Sequence, residues 1–82
     1  MAIRKPTPPT ERSAAMAELL LADGEARRAL DTLLAADFPP ELEHAEAVLE
    51  TRALRLLGRG AEGMARWRRY LESRKGAERK WI

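Results

Sequence analysis

Apolar residues recur three and four positions apart over most of this chain, and that spacing is the period of an amphipathic α-helix. The clearest example follows Glu25, with apolar positions at Ala26, Ala29, Leu30, Leu33 and Leu34. Residues that favour β-strands are scarce, because the 82 residues include one valine and two isoleucines, and only 5% are aromatic. The sequence therefore predicts an all-α protein.

Glycine and proline residues divide this pattern into four predicted helices. An extended N-terminal tail, residues 1–9, precedes the first helix, and Thr7 or Thr10 is its expected N-cap. This helix ends at Gly24, where we expect a left-handed backbone conformation. A second helix follows directly and stops before the prolines at 39 and 40. The apolar positions expected on the first helix are Met16, Leu19 and Leu20.

The third helix is expected to begin at the proline pair, because proline suits the first turn of a helix. Asp37 or Phe38 is its expected cap, and we expect it to be the longest of the four. The apolar line expected along it is Leu42, Ala45, Leu49, Ala53 and Leu56.

The fourth helix follows Gly60 and is expected to end or weaken at Gly76. The helical domain then spans residues 10–75, and residues 76–82 form a tail or an extra helical turn. Trp67 is expected to anchor the core from this helix. The apolar positions expected on one face of the helix are Met64, Trp67 and Leu71.

Gly58, Gly60 and Gly63 spell G-x-G-x-x-G, the pattern of a dinucleotide-binding turn. That turn works only where it follows a buried strand and opens a helix. Here the preceding residues have a helical period and few β-branched side chains. The glycines are therefore interpreted as the corner between two helices.

Gly24 and Gly58 lie 34 residues apart, which is the period of a helix-turn-helix repeat. Small and bulky residues alternate around each glycine. Around the first they are Ala17, Leu20, Ala29, Leu33 and Ala36, followed by Pro40. Around the second they are Thr51, Leu54, Gly63 and Trp67, whereas Tyr70 and Arg74 depart from the pattern.

On these residues the chain resembles the tetratricopeptide-repeat family over about residues 13–74, with a degenerate second repeat. The resemblance implies four helices arranged as two stacked antiparallel helix-turn-helix hairpins. A generic small helical bundle is the alternative. Stable repeat arrays usually have three or more repeats with polar caps. A pair of hairpins would leave apolar helix faces for a partner protein or a second copy, and the candidate residues are Leu21, Leu34, Leu57 and Trp81.

Charge is segregated along the chain. Residues 13–50 hold nine acidic residues against two arginines, a net charge of −7, and residues 51–82 hold ten bases against three acids, a net charge of +7. The basic part predicts an alternative function, the binding of nucleic acid through its phosphates. Contact with a membrane surface is a third and weaker option. The candidate phosphate-binding residues are Arg66, Arg68, Arg69, Arg74, Lys75, Arg79 and Lys80.

No residue set predicts catalysis, a metal site or a cofactor. The chain has no cysteine, and His44 is its only histidine, so we expect His44 to have a structural role at or near the surface. Glu43, Glu46 and Glu50 share one side of a helix and are interpreted as a solvated acidic face rather than a cation site. We therefore expect a cytoplasmic, non-catalytic protein.

Overall fold

Four α-helices form the protein. The computed structural model describes the backbone of residues 9–79 and the side chains of residues 10–74. The helices are α1 (Pro9–Ala22), α2 (Ala26–Ala35), α3 (Glu43–Leu56) and α4 (Gly60–Arg79), and a short 3₁₀ turn at Pro40–Leu42 leads into α3. No strand occurs between residues 9 and 79. The predicted all-α class is confirmed.

The connection between α1 and α2 is a tight glycine turn. Gly24 has φ of +79°, the left-handed conformation that the sequence predicts. Its N–H donates to the Leu21 carbonyl at 3.1 Å, and the next N–H, of Glu25, donates to the Leu20 carbonyl at 2.7 Å. These two bonds satisfy carbonyl groups that the end of α1 would otherwise leave without partners.

The turn between α3 and α4 is built in the same way. Gly58 has φ of +76°. Its N–H donates to the Arg55 carbonyl at 3.1 Å, and the Arg59 N–H donates to the Leu54 carbonyl at 2.8 Å. Each of these residues lies 34 positions after its counterpart in the first turn. The backbone therefore repeats the first turn 34 residues later, and Gly58 joins two helices, as the sequence predicts.

The hydrophobic core lies among the first three helices. The α1 helix packs on α2, and α3 packs on both of them. The α4 helix packs chiefly on α3, and makes no comparable contact with α1 or α2 among the described residues. The buried core residues are Ala17, Leu20, Leu21, Ala26, Ala29, Leu30, Leu33, Leu49, Ala53 and Leu54.

Several residues lie on the other side of the surface from where the sequence predicts them. On α1, Met16 and Leu19 are exposed while Leu21 is buried, because the helix turns Ala17 and Leu21 towards the core instead. On α4, Met64 and Leu71 are exposed and Trp67 is only half-buried. On α3, Leu56 is 63% exposed, so the predicted apolar line fails at its end.

Some helix boundaries also differ from the predictions. Thr10 lies inside α1 and does not cap it, since the helix starts one residue earlier; Thr7 lies outside the described residues. Neither Asp37 nor Phe38 caps a helix, because Pro39 is extended and precedes the 3₁₀ turn. The longest helix is α4, with 20 residues against 14 in α3. It continues through Gly76, so the predicted extra turn is helical as far as residue 79.

Candidate protein-binding groove

The α3 and α4 helices approach each other closely at Gly63. A Cβ atom at this position would lie 3.2 Å from the backbone oxygen of Thr51, which is tighter than ordinary van der Waals contact. The Thr51 hydroxyl also donates to the Gly63 carbonyl at 3.4 Å. Glycine at 63 therefore lets the two backbones come together, and larger side chains diverge on either side of this contact.

A groove between α3 and α4 opens beside this contact. It encloses about 290 Å³, and its apolar lining comes from Val48 on α3 and from Met64 and Trp67 on α4. Two arginines, Arg52 and Arg55, also line it. The exposed side chain of Leu56 extends the same surface, because it lines an adjacent depression with the two arginines.

The residues of this groove are the repeat counterparts of residues in the core of the first hairpin. The pairs, 34 positions apart, are Ala14 and Val48, Ala17 and Thr51, Leu21 and Arg55, Leu30 and Met64, and Leu33 and Trp67. The first member of each pair is buried or packed against the core, where α3 lies over the α1–α2 hairpin. No helix described after α4 covers the second members. The groove is thus the open equivalent of a groove that α3 fills.

Trp67 is held at the edge of this groove by an aromatic cluster. Its ring centroid lies 5.3 Å from that of Tyr70 and 5.9 Å from that of His44. Tyr70 is buried, and its hydroxyl lies 3.1 Å from Nδ1 of His44, within hydrogen-bond distance. His44 lies at the surface in a structural role, as the sequence predicts. The cluster limits rotation of the indole while part of it stays exposed to the groove.

Arg52 and Arg55 are free to bind an anionic group. Both are exposed, and neither has an ion pair or a side-chain hydrogen bond within the described part of the chain. An exposed ion pair contributes little to folding, but arginines beside an apolar groove add electrostatic complementarity for a ligand. The groove therefore fits an apolar segment that carries carboxylates.

A buried ion pair connects α3 to α4 on the other side of the helix pair. Arg66, whose side chain is only 13% exposed, donates through Nε to the carboxylate of Glu50. Its terminal nitrogen lies 3.5 Å from an oxygen of Glu46. The interpretation of Glu43, Glu46 and Glu50 as a solvated acidic face is wrong for the last two, because α4 covers them. Burial, followed by the nearby charge of Glu50, raises the pKa of Glu46.

A second cleft, between α2 and α4, encloses about 330 Å³ and has Leu30, Leu34 and Leu54 in its lining. Its charged groups are mostly paired within the protein. Arg59 donates to Glu62 at 3.0 Å, and the buried ion pair described above also borders the cleft. The α3–α4 groove is the better binding surface, because its two arginines have no such partners.

The predicted protein-binding residues have different positions. Leu34 is 66% exposed at the α2–α4 cleft. Leu57 is partly buried and packs against the core. Leu21 is 7% exposed and belongs to the core, so its place on a docking surface was a wrong prediction. Trp81 lies outside the described residues.

The predicted phosphate-binding residues are also divided. Arg66 is committed to the buried ion pair, and is therefore removed from that set. Arg68 and Arg69 are exposed. Arg74 is exposed, with its guanidinium 6.0 Å from the centre of the Tyr70 ring. The side chains of Lys75 and Arg79, and the whole of Lys80, lie outside the described part.

Among residues 10–74, no group of three or more histidines, cysteines or acidic residues is arranged to hold a metal ion. The described helices include none that is long and apolar enough to cross a membrane. Comparison with known protein families, curated proteins and solved structures finds no match for this chain. The tetratricopeptide resemblance therefore stays a prediction.

Proposed function

We propose that this protein is a non-catalytic interaction module, and that it binds a helical segment of another polypeptide in the α3–α4 groove. The observation that carries this proposal is the equivalence of the groove with the one filled by α3. A surface of this shape binds a helix once within the molecule, and the second example has no occupant among the described residues.

The lining of the groove indicates the chemistry of the partner segment. Met64 is 52% exposed, and a flexible thioether adapts to ligands of varied shape. Trp67 adds a rigid aromatic surface of the kind that often dominates binding energy. Arg52 and Arg55 favour carboxylates at the edge. The partner segment is therefore an amphipathic helix with leucine-like side chains on one face and acidic residues beside them.

Two observations support the repeat architecture over a closed bundle. The hydrogen bonds of the turn at Gly24 recur at Gly58, and α4 does not return to pack on α1. A helix pair added along one direction leaves its last groove open, whereas a closed bundle leaves none. This arrangement supports a tetratricopeptide-like function in protein binding, and a cytoplasmic site of action belongs to the same proposal.

Nucleic-acid binding is the less supported alternative. It retains the exposed Arg68 and Arg69 but loses Arg66 to the buried ion pair. The described aromatic residues of α4 are also poorly placed for it, because Tyr70 is buried and Trp67 lines the α3–α4 groove instead. Its distinguishing property is a steep loss of affinity as salt rises.

The test is a titration with a designed helical peptide that carries leucines three and four positions apart and glutamates beside them. In a Trp81→Phe background, Trp67 is the only tryptophan, and its fluorescence should change on binding. Arg52→Glu combined with Arg55→Glu should weaken binding at least about tenfold, because both arginines line the groove.

The matched control is Arg27→Glu combined with Arg28→Glu, which makes the same change in net charge on α2. The control should keep affinity within about threefold, since both residues lie away from the groove. Equal losses in the two double variants would show attraction to overall charge and would contradict the proposal. Displacement of the peptide by a single-stranded oligonucleotide at low salt would favour the alternative function.

A further inference from the structure

We infer that the helix which fills the α3–α4 groove is α1 of a second copy of this chain, so that copies assemble head to tail. This inference rests on the proposed function of the groove and names its partner. Three features carry it: the exposed apolar residues of α1, the repeat relation between α1 and α3, and the opposite charges of the two surfaces.

The exposed side of α1 matches the side by which α3 packs on the first hairpin. Met16 and Leu19 are 52% and 64% exposed. Their counterparts 34 residues later are Glu50 and Ala53, which are 6% and 0% exposed. The same positions are therefore buried in α3 and uncovered in α1. In α1 both are large apolar residues, and a single α1–α2 hairpin has nothing among residues 10–74 to cover them.

The receiving surface has the same relation in reverse. Met64 is half exposed, and its counterpart 34 residues earlier, Leu30, is 6% exposed. If α1 of a second copy lies on α3 and α4 as α3 lies on α1 and α2, it covers the groove and buries its own Met16 and Leu19. One contact thus removes both unpartnered apolar surfaces from water.

Charge favours this pairing. Glu18 on α1 and Arg52 on α3 are repeat counterparts of opposite sign, and both are exposed. A head-to-tail stack continues the row with Glu18 of the next copy beside Arg52. Residues 9–35 carry five acidic residues and three arginines, a net charge of −2, whereas α4 carries six bases and three acids, a net charge of +3. The two ends of the assembly therefore attract each other.

The two surfaces differ, so their contact does not close into a symmetric dimer. Each copy offers one α1 and one groove. Head-to-tail association therefore allows two variants, each defective at a different end, to form a one-to-one pair that grows no further.

The test uses sedimentation velocity on the full chain and two variants. Leu19→Glu disables α1, and Met64→Glu disables the groove; both side chains are more than half exposed, so the fold should persist, with circular dichroism as the check. The wild-type sedimentation coefficient should rise with concentration. Each variant alone should associate at least about tenfold more weakly. An equimolar mixture of the two should form a heterodimer.

Leu34→Glu is the matched control, because Leu34 is exposed but belongs to neither surface. It should associate like the wild type. A second pair tests the contact by charge: Glu18→Arg and Arg52→Glu should each weaken association, and the double variant should restore it. A wild-type protein that stays monomeric, or a mixture of the first two variants that forms no heterodimer, would overturn the inference.

The peptide titration separates this inference from the function on which it rests. A monomeric protein whose groove binds the acidic peptide, with loss in Met64→Glu, refutes self-association and retains the proposed function. A protein that neither self-associates nor binds the peptide in the groove refutes both.

Discussion

The left-handed turns at Gly24 and Gly58 give the sharpest stability prediction. Alanine at either position would keep its Cβ in open space, because no atom lies within 4 Å of a Cβ built at either glycine. The cost is therefore almost entirely that of holding an L-residue at φ of +79° or +76°. That cost is about 1–2 kcal/mol, and the lower entropy of the unfolded chain offsets about 0.4–1 kcal/mol of it.

Gly24→Ala and Gly58→Ala should thus each lower the free energy of unfolding by about 1 kcal/mol. For a chain of this size, 1 kcal/mol corresponds to a fall in Tm of about 4–8 °C. The two losses should agree within about 0.5 kcal/mol, because the same pair of hydrogen bonds caps α1 and α3. Urea denaturation followed by circular dichroism measures both.

Gly60→Ala is the control for the same chemical change. Gly60 begins α4, has no positive φ and has open space around its Cβ, so alanine should be neutral or slightly stabilising there. Gly58→Asn should recover part of the loss, since asparagine tolerates the left-handed region. If Gly58→Ala proves as stable as Gly60→Ala, the described turn geometry is wrong.

Two further predictions concern the ion pair between α3 and α4. Arg66→Met leaves Glu50 buried without its cationic partner and should cost about 2–4 kcal/mol, whereas Arg59→Met, at an exposed pair, should cost less than about 1 kcal/mol; similar losses in urea denaturation would contradict the burial of the first pair. The raised pKa of Glu46 means that its protonated form stabilises the folded state fully below the unfolded pKa of 4.5, and that this contribution is lost as pH rises through the folded pKa. Glu46→Gln should therefore unfold at a higher urea concentration than the wild type at pH 7, with the gap closing below pH 4.5, and a gap independent of pH would refute the assignment.

The sequence predicts the helices well because their signals are local. Period, proline and glycine specify where each helix stops, and the 34-residue spacing of Gly24 and Gly58 reproduces in the backbone as two turns with the same hydrogen bonds. The outer ends of helices were predicted less accurately. At Pro39 the chain needs an extended residue before the 3₁₀ turn, and a cap pattern does not encode that requirement.

The faces of α1 and α4 could not be predicted from period alone. The segment Ala14–Ala22 is apolar on nearly every side, so Leu21 and Met16 are equivalent in sequence although only Leu21 is buried. On α4, bulk favours Met64 as a core residue. The helix instead turns Gly63 and Tyr70 inwards, because it packs chiefly on α3, where close backbone approach needs glycine.

The groove was missed for the same reason. Its arginines read as helix-end charges, and Arg66 read as a surface base until α3 and α4 were placed in register. One signal was present in the sequence: Glu46 and Glu50 are four residues apart and face an arginine-rich helix. The hydrogen bond between His44 and Tyr70 likewise depends on a register that spans 26 residues.

The central claim is that the α3–α4 groove receives α1 of another copy, and a dilution series followed by NMR of the isotopically labelled protein tests it directly. We predict that signals from two surfaces shift together with concentration: those of Met16 and Leu19 on α1, and those of Thr51 and the Trp67 indole at the groove. Leu34 should not shift. Spectra that do not change with concentration, or shifts confined to one of the two surfaces, would contradict the account.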